Sequence, residues 1–159
     1  MLDTAADLLA TDGAGAITME GVAARAGVSK GLGYRYFTNA EDLLVALYDR
    51  EIATLGERVT AAIAGEPTFE GVVRASLTVW LDALSERGAV IGNLTRAGAV
   101  PGPVEQRSRE VHAAVSEFFG ERASAAFELT PRMATAAASV LLSGLDGLVN
   151  CWLERGMPR

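Results

Sequence analysis

With 159 residues, half of them apolar and only 6% aromatic, the chain is long enough for one ordinary core or for a small head on a larger body. Alternating β-branched runs are missing, the single Cys151 excludes an internal disulfide, and no Cys/His spacing suits a metal, so an all-α protein in a reduced, cytoplasmic setting, without metal or cofactor, is expected. The formal charge of −6 does not exclude nucleic acid as a partner, because binding depends on the local field, and Thr18 to Phe37 sets Arg25, Lys30 and Arg35 against Glu20 alone.

Leu2, Ala5, Ala6, Leu8 and Leu9 mark a first helix that stops at Asp12-Gly-Ala-Gly15. That Gly-rich stretch lacks the Gly-Lys-Ser/Thr ending of a phosphate loop and reads as a turn. Thr18 caps a second helix with Glu20 near its positive end, while Val22, Ala23 and Ala26 face inward. Gly27 suits a left-handed turn, and Ser29 caps a third helix that Phe37 ends. Two short helices across a tight turn outline a helix-turn-helix, whose second helix enters the DNA major groove. Plain packing, with Tyr34 and Tyr36 half-buried, is the alternative. Asn39, with Asp42 at N3, starts a fourth helix through Leu43, Leu44, Leu47, Tyr48, Ile52 and Leu55 to about Ile63.

Gly65-Glu-Pro67 is a break, after which a helix runs from about Thr68 to Arg87. Gly98 to Pro103 is the strongest loop signal, and Pro103 opens a helix reaching about Phe127. Thr130-Pro131 starts the last helix, which extends to Glu154. Met133 to Leu153 is apolar but holds Asp146 near its middle, which favours a buried or interfacial helix over a membrane span. Met1-Leu-Asp-Thr lacks the basic start of a signal peptide. A helix beginning almost at Met1 and a helix exit at Gly156-Met-Pro-Arg159 lead us to expect further residues beyond the ends.

Ala137, Leu141, Gly144, Leu145, Leu148 and Trp152 recur at three- and four-residue intervals. They are the expected seam of a homodimer, monomer core being the alternative. Phe69, Trp80, Leu84, Phe118 and Phe127 are candidate walls of a cavity for an uncharged or weakly polar organic effector, against a reading as simple packing. Glu105, Glu110 and Glu117 read as a charged helix face, solitary His112 as a surface or packing residue, and Cys151 as an inert buried thiol. With no Ser-His-Asp, paired-carboxylate or metal set, an enzyme is not expected.

The segment Ala16 to Leu44 resembles the DNA-binding region of the TetR (tetracycline-repressor-like) family of transcription regulators. The matching elements are Ala5-Ala6, Gly13, Ile17-Thr18, Val22-Ala23, Ala26-Gly27-Val28-Ser29, Gly31, Tyr34-Arg35-Tyr36-Phe37 and Asp42-Leu43-Leu44. They cover roughly the first third of the chain; the remainder is similar to the family only in being helical. The resemblance implies a helix-turn-helix DNA-binding head over residues 1–48 and a helical ligand-binding and dimerising body over 49–159. It gives Thr18 a phosphate contact through its hydroxyl and backbone amide. Ser29, Lys30 and Gly31 would approach base edges, Tyr34 and Tyr36 would put hydroxyls on phosphates, and Arg35 would add charge or a base contact.

Two departures stand out. Gly33 occupies the place of a usually buried Leu, with Leu32 beside it expected to swing inward in compensation, and Ala40 replaces a frequent Lys. The function implied is a ligand-responsive regulator, a cytoplasmic homodimer released from a palindromic double-stranded DNA operator by a small apolar molecule. The alternative is a small-molecule-binding helical protein whose DNA binding is weakened or lost.

Overall fold

Side-chain oxygens open most of the helices. The computed structural model describes residues 1–95 and 102–155, with side chains described to Leu94, from Gly102 to Leu148, and at Cys151. The order is α1 (Leu2–Asp12), a 3₁₀ turn (Ala14–Ala16), α2 (Met19–Arg25), α3 (Lys30–Tyr36), α4 (Ala40–Ile63), α5 (Phe69–Thr95), α6 (Pro103–Phe127) and α7 (Pro131–Arg155). No strand occurs among the described residues, and the fold is all-α.

Thr18 Oγ1 accepts the Gly21 N–H at 3.0 Å, Ser29 Oγ that of Leu32 at 3.2 Å, and Asn39 Oδ1 that of Asp42 at 2.8 Å. Thr68 and Thr130 repeat the pattern on Gly71 and Met133. Each bond satisfies a backbone donor that the first turn of a helix leaves unpaired. Asp42 returns the favour by accepting the Thr38 N–H at 2.9 Å, so the start of α4 is fastened from both sides.

Between α2 and α3 the chain reverses through Gly27 at φ 68°. The Val28 N–H reaches back to Ala23 O at 3.0 Å and the Gly27 N–H to Ala24 O at 3.2 Å. This paired closure needs a left-handed residue between its two bonds, a conformation that costs glycine little.

α5 does not stop at Arg87, as the Arg-Gly sequence there suggests. The backbone leaves helical values at Arg87 (φ −135°, ψ 20°) and then resumes to Thr95. Apolar spacing returns with Val90 and Leu94, both buried. The Arg87 guanidinium at the break is held on both oxygens of Glu51, Nε to Oε2 at 2.7 Å and Nη2 to Oε1 at 3.0 Å. Such two-point pairing fixes orientation as well as charge. The expected loop from Gly98 lies outside the described residues except for Gly102 and Pro103.

The chain divides into two compact units. The first holds residues 1–57 together with 83–95 and 102–107. Its core includes Ala5, Leu9, Val22, Leu43 and Leu47, each fully or almost fully buried. Arg50 links Asp3 of α1, at 2.6 Å, to the nearly buried carboxylate of Glu51. Asn93 Nδ2 donates to Leu9 O at 2.7 Å, supplying a partner at the last turn of α1. The second unit holds residues 58–82 and 108–155. Here α6 and α7 approach closely at Gly120, where an added Cβ would lie 2.7 Å from the Thr135 Cα.

Candidate nucleic-acid interface

Packing of α2 on α3 decides which side chains reach solvent. Val22, Ala23 and Gly33 turn inward, and Thr18, Ser29, Lys30, Gly31, Tyr34, Arg35 and Tyr36 are all exposed. Tyr34 is 43% and Tyr36 67% exposed, so neither is a core residue. The Thr18 hydroxyl accepts from Gly21 through its oxygen, which leaves its own hydrogen free to donate outward.

Leu32 does not swing inward. It remains 37% exposed, and the space beside Gly33 is filled by methionine: an added Cβ at Gly33 would meet Met1 Cε at 3.2 Å and Met19 Cε at 3.5 Å. The unbranched thioether side chain reaches gaps that a leucine one position along the helix cannot face. The volume of the family's buried Leu is thus supplied from α2 and the chain start. Ala40, the other departure, opens α4 half-buried.

Glu20 is the member of this surface that sequence reasoning missed. Its Oε1 lies 2.6 Å from Lys30 Nζ and accepts from the Tyr34 hydroxyl at 3.4 Å. Lys30 Nζ also stands 5.7 Å from the centre of the Tyr34 ring, within cation–π reach. The hydrogen bond from Lys30 holds the Glu20 carboxyl below its usual range, and the same bond lifts the Lys30 ammonium. Ten residues separate the two along the chain, and only the angle of the Gly27 turn brings them together. Arg25 and Arg35 complete the exposed cations of the stretch.

Of the aromatic residues expected to wall a cavity, Phe69 and Phe127 meet edge to face with centroids 5.4 Å apart. Phe118 pairs instead with Phe119 at 5.2 Å and carries the Arg122 guanidinium 3.6 Å over its ring. Trp80 is half-buried, and Leu84, one turn further along α5, is buried. On α7, Ala137, Leu141, Gly144 and Leu148 are exposed and Leu145 is half-buried; the Trp152 side chain lies outside the described residues. Met133 and Val140 widen this bare apolar strip.

Folding gives solitary His112 two neighbours, Ser139 Oγ at 3.2 Å from Nε2 and Asp146 Oδ2 at 3.8 Å from Nδ1. The second distance is too long for the hydrogen bond that orients a catalytic histidine. Partial burial raises the Asp146 carboxyl above its ordinary range, with His112 opposing. Cys151 is half-buried. Among the described residues no group of three His, Cys, Asp or Glu could hold a metal ion, and no helix is long and apolar enough to cross a membrane.

These features define a helical protein with an N-terminal helix-turn-helix. Residues 1–47 match the family model described as bacterial regulatory proteins, tetR family. The fatty acid degradation regulator FadR from Bacillus halodurans has a similar structure, with a TM-score of 0.78 at 19% identity, over 98% of this chain and 82% of that one. FadR from Bacillus subtilis, solved in complex with stearoyl-CoA, gives 0.79 at 19% identity, over 98% and 86%. NalD, the secondary repressor of the MexAB-OprM multidrug efflux pump in Pseudomonas aeruginosa, gives 0.65 at 21% identity, over 96% and 81%. No curated protein sequence matches the chain. Residues 1–47 thus match the tetR family model, and the whole chain shares its fold with FadR and NalD.

Proposed function

We propose that the protein is a dimeric transcriptional repressor that grips a palindromic operator and is released by a small apolar molecule. The observation that carries this reading is the exposed row formed by Thr18, Ser29, Lys30, Gly31, Tyr34, Arg35 and Tyr36, beneath which Val22, Ala23 and Gly33 are buried. A ridge with hydroxyls and cations outward and small apolar residues inward suits a helix seated in the major groove. Residues 1–48 then form the DNA-binding part and 49–159 the part that binds effector and dimerises.

One such ridge makes few base contacts, so two copies would read the two halves of a site. The bare strip of Ala137, Leu141, Gly144 and Leu148 supports α7 as the seam, since exposed apolar strips of this kind mark association surfaces. Leu145 and Trp152 belong to the same stripe in the sequence. For the effector, Phe69, Trp80, Leu84, Phe118 and Phe127 are the proposed apolar lining. The stearoyl-CoA held by the Bacillus subtilis protein supports an apolar class of molecule. Effector would act by favouring a body conformation that spreads the two heads. A cytoplasmic location follows from this role.

Fluorescence anisotropy with a labelled duplex from the chain's own upstream region tests the reading. Binding is expected, and Arg35→Ala should reduce its salt slope by about one. Absence of binding at low salt, or a folded monomer by light scattering at micromolar concentration, would count against it.

A further inference from the structure

We propose that Glu20 is a built-in rival of the DNA backbone, occupying Lys30 and Tyr34 of the recognition helix and holding down the affinity of the head for DNA of arbitrary sequence. The inference rests on the reading of this surface as a DNA interface. It starts from one atom: Glu20 Oε1 takes both the Lys30 ammonium, at 2.6 Å, and the Tyr34 hydroxyl, at 3.4 Å. A cation and a phenol are the groups by which proteins hold a phosphate oxygen, and here a carboxylate oxygen stands in that place.

The pair is exposed on both sides, with Lys30 at 64% and Glu20 at 54% of full side-chain accessibility. Ion pairs in that setting are weak and screened by salt, so the contact is reversible rather than structural. A phosphate set in register by the remaining contacts of a cognate site can displace the carboxylate. A phosphate met without those contacts has to compete with it. Of the charged groups between Thr18 and Phe37, Glu20 and Lys30 cancel, leaving Arg25 and Arg35 to draw the head toward DNA. On a chain of net charge −6 that is a modest pull, which separates specific from non-specific binding by lowering the second.

The test uses the full chain and a 30-base-pair duplex of random sequence, about three turns of helix, titrated by anisotropy over a series of salt concentrations. Glu20→Gln keeps the shape and removes the charge. It should tighten binding by about three- to tenfold near 0.1 M salt and steepen the salt slope by roughly one, the counterion release of one added phosphate contact. In the Glu20→Gln background, Lys30→Ala should abolish the gain. Asp7→Asn, which removes an exposed charge on α1, is the control for net charge.

Equal effects of Glu20→Gln and Asp7→Asn, or weaker binding by Glu20→Gln, would overturn the proposal and leave the DNA-binding reading intact. Failure of both the native chain and Glu20→Gln to bind duplex at the lowest salt would overturn both. Circular dichroism of each variant confirms that the helices are retained.

Discussion

The first unit and α7 treat apolar surface in opposite ways. In the first, Leu9, Leu43 and Leu47 have no contact with solvent, and the side chains left outside on α2 and α3 are mostly hydroxyls and charges. On α7, Val140, Leu141 and Leu148 are each more than 60% exposed. The first unit is thus completed by its own residues, late ones included, while the last helix offers a strip whose burial would need another surface. The difference separates what a single chain finishes by itself from what the partner in the proposed dimer would cover.

Three substitutions break or sharpen that contrast. The largest effect is expected from Leu47→Ala, which removes a fully buried leucine from the head. A loss of about 2–5 kcal/mol is expected in urea unfolding followed by circular dichroism, together with loss of DNA binding. A loss below about 1 kcal/mol would show that the head is not packed as tightly as its burial indicates.

Next comes Gly120→Ala in the second unit. The added methyl would press on the Thr135 backbone, which cannot rotate away as a side chain would. Overpacking of this kind costs about 1–3 kcal/mol, and the same denaturation measures it. Duplex affinity at temperatures where the variant remains folded should be unchanged, since Gly120 lies far along the chain from the α2–α3 surface.

The smallest effect has the opposite sign. Gly33→Ala should stabilise the head by about 0.5–1 kcal/mol, because alanine restricts the unfolded chain and its methyl meets the flexible ends of Met1 and Met19 most closely, with Ala23 Cβ at an ordinary 3.7 Å. A higher melting temperature with unchanged duplex affinity is the expected outcome. A drop in stability would mean that those two methionines cannot move aside.

The head was readable from the sequence because its instructions are local. Thr18, Ser29 and Asn39 each cap a helix through a bond to the third residue beyond, and Gly27 marks its own turn. The start of α7 at Thr130-Pro131 was readable for the same reason. Distant partners were not. At the break in α5, Arg87 is held by Glu51, thirty-six positions earlier, and no local pattern links the two. The substitutes for a missing leucine at Gly33 come from two methionines on other segments, so the neighbouring Leu32 was the wrong place to look. The contact between Glu20 and Lys30 escaped notice because charge counts along a segment say nothing of which charges touch.

Asn93 gives the first unit an awkward order of assembly. The carbonyl of Leu9 leaves the ribosome eighty-four residues ahead of its side-chain partner. Val90 and Leu94, which are buried in the finished protein, come equally late. While the chain is being made, the helix-turn-helix therefore emerges before the segment that closes it, and contacts so distant in sequence form slowly. Competence to engage DNA is expected to lag the synthesis of the recognition helix, a delay inherent in letting a late helix complete an early one.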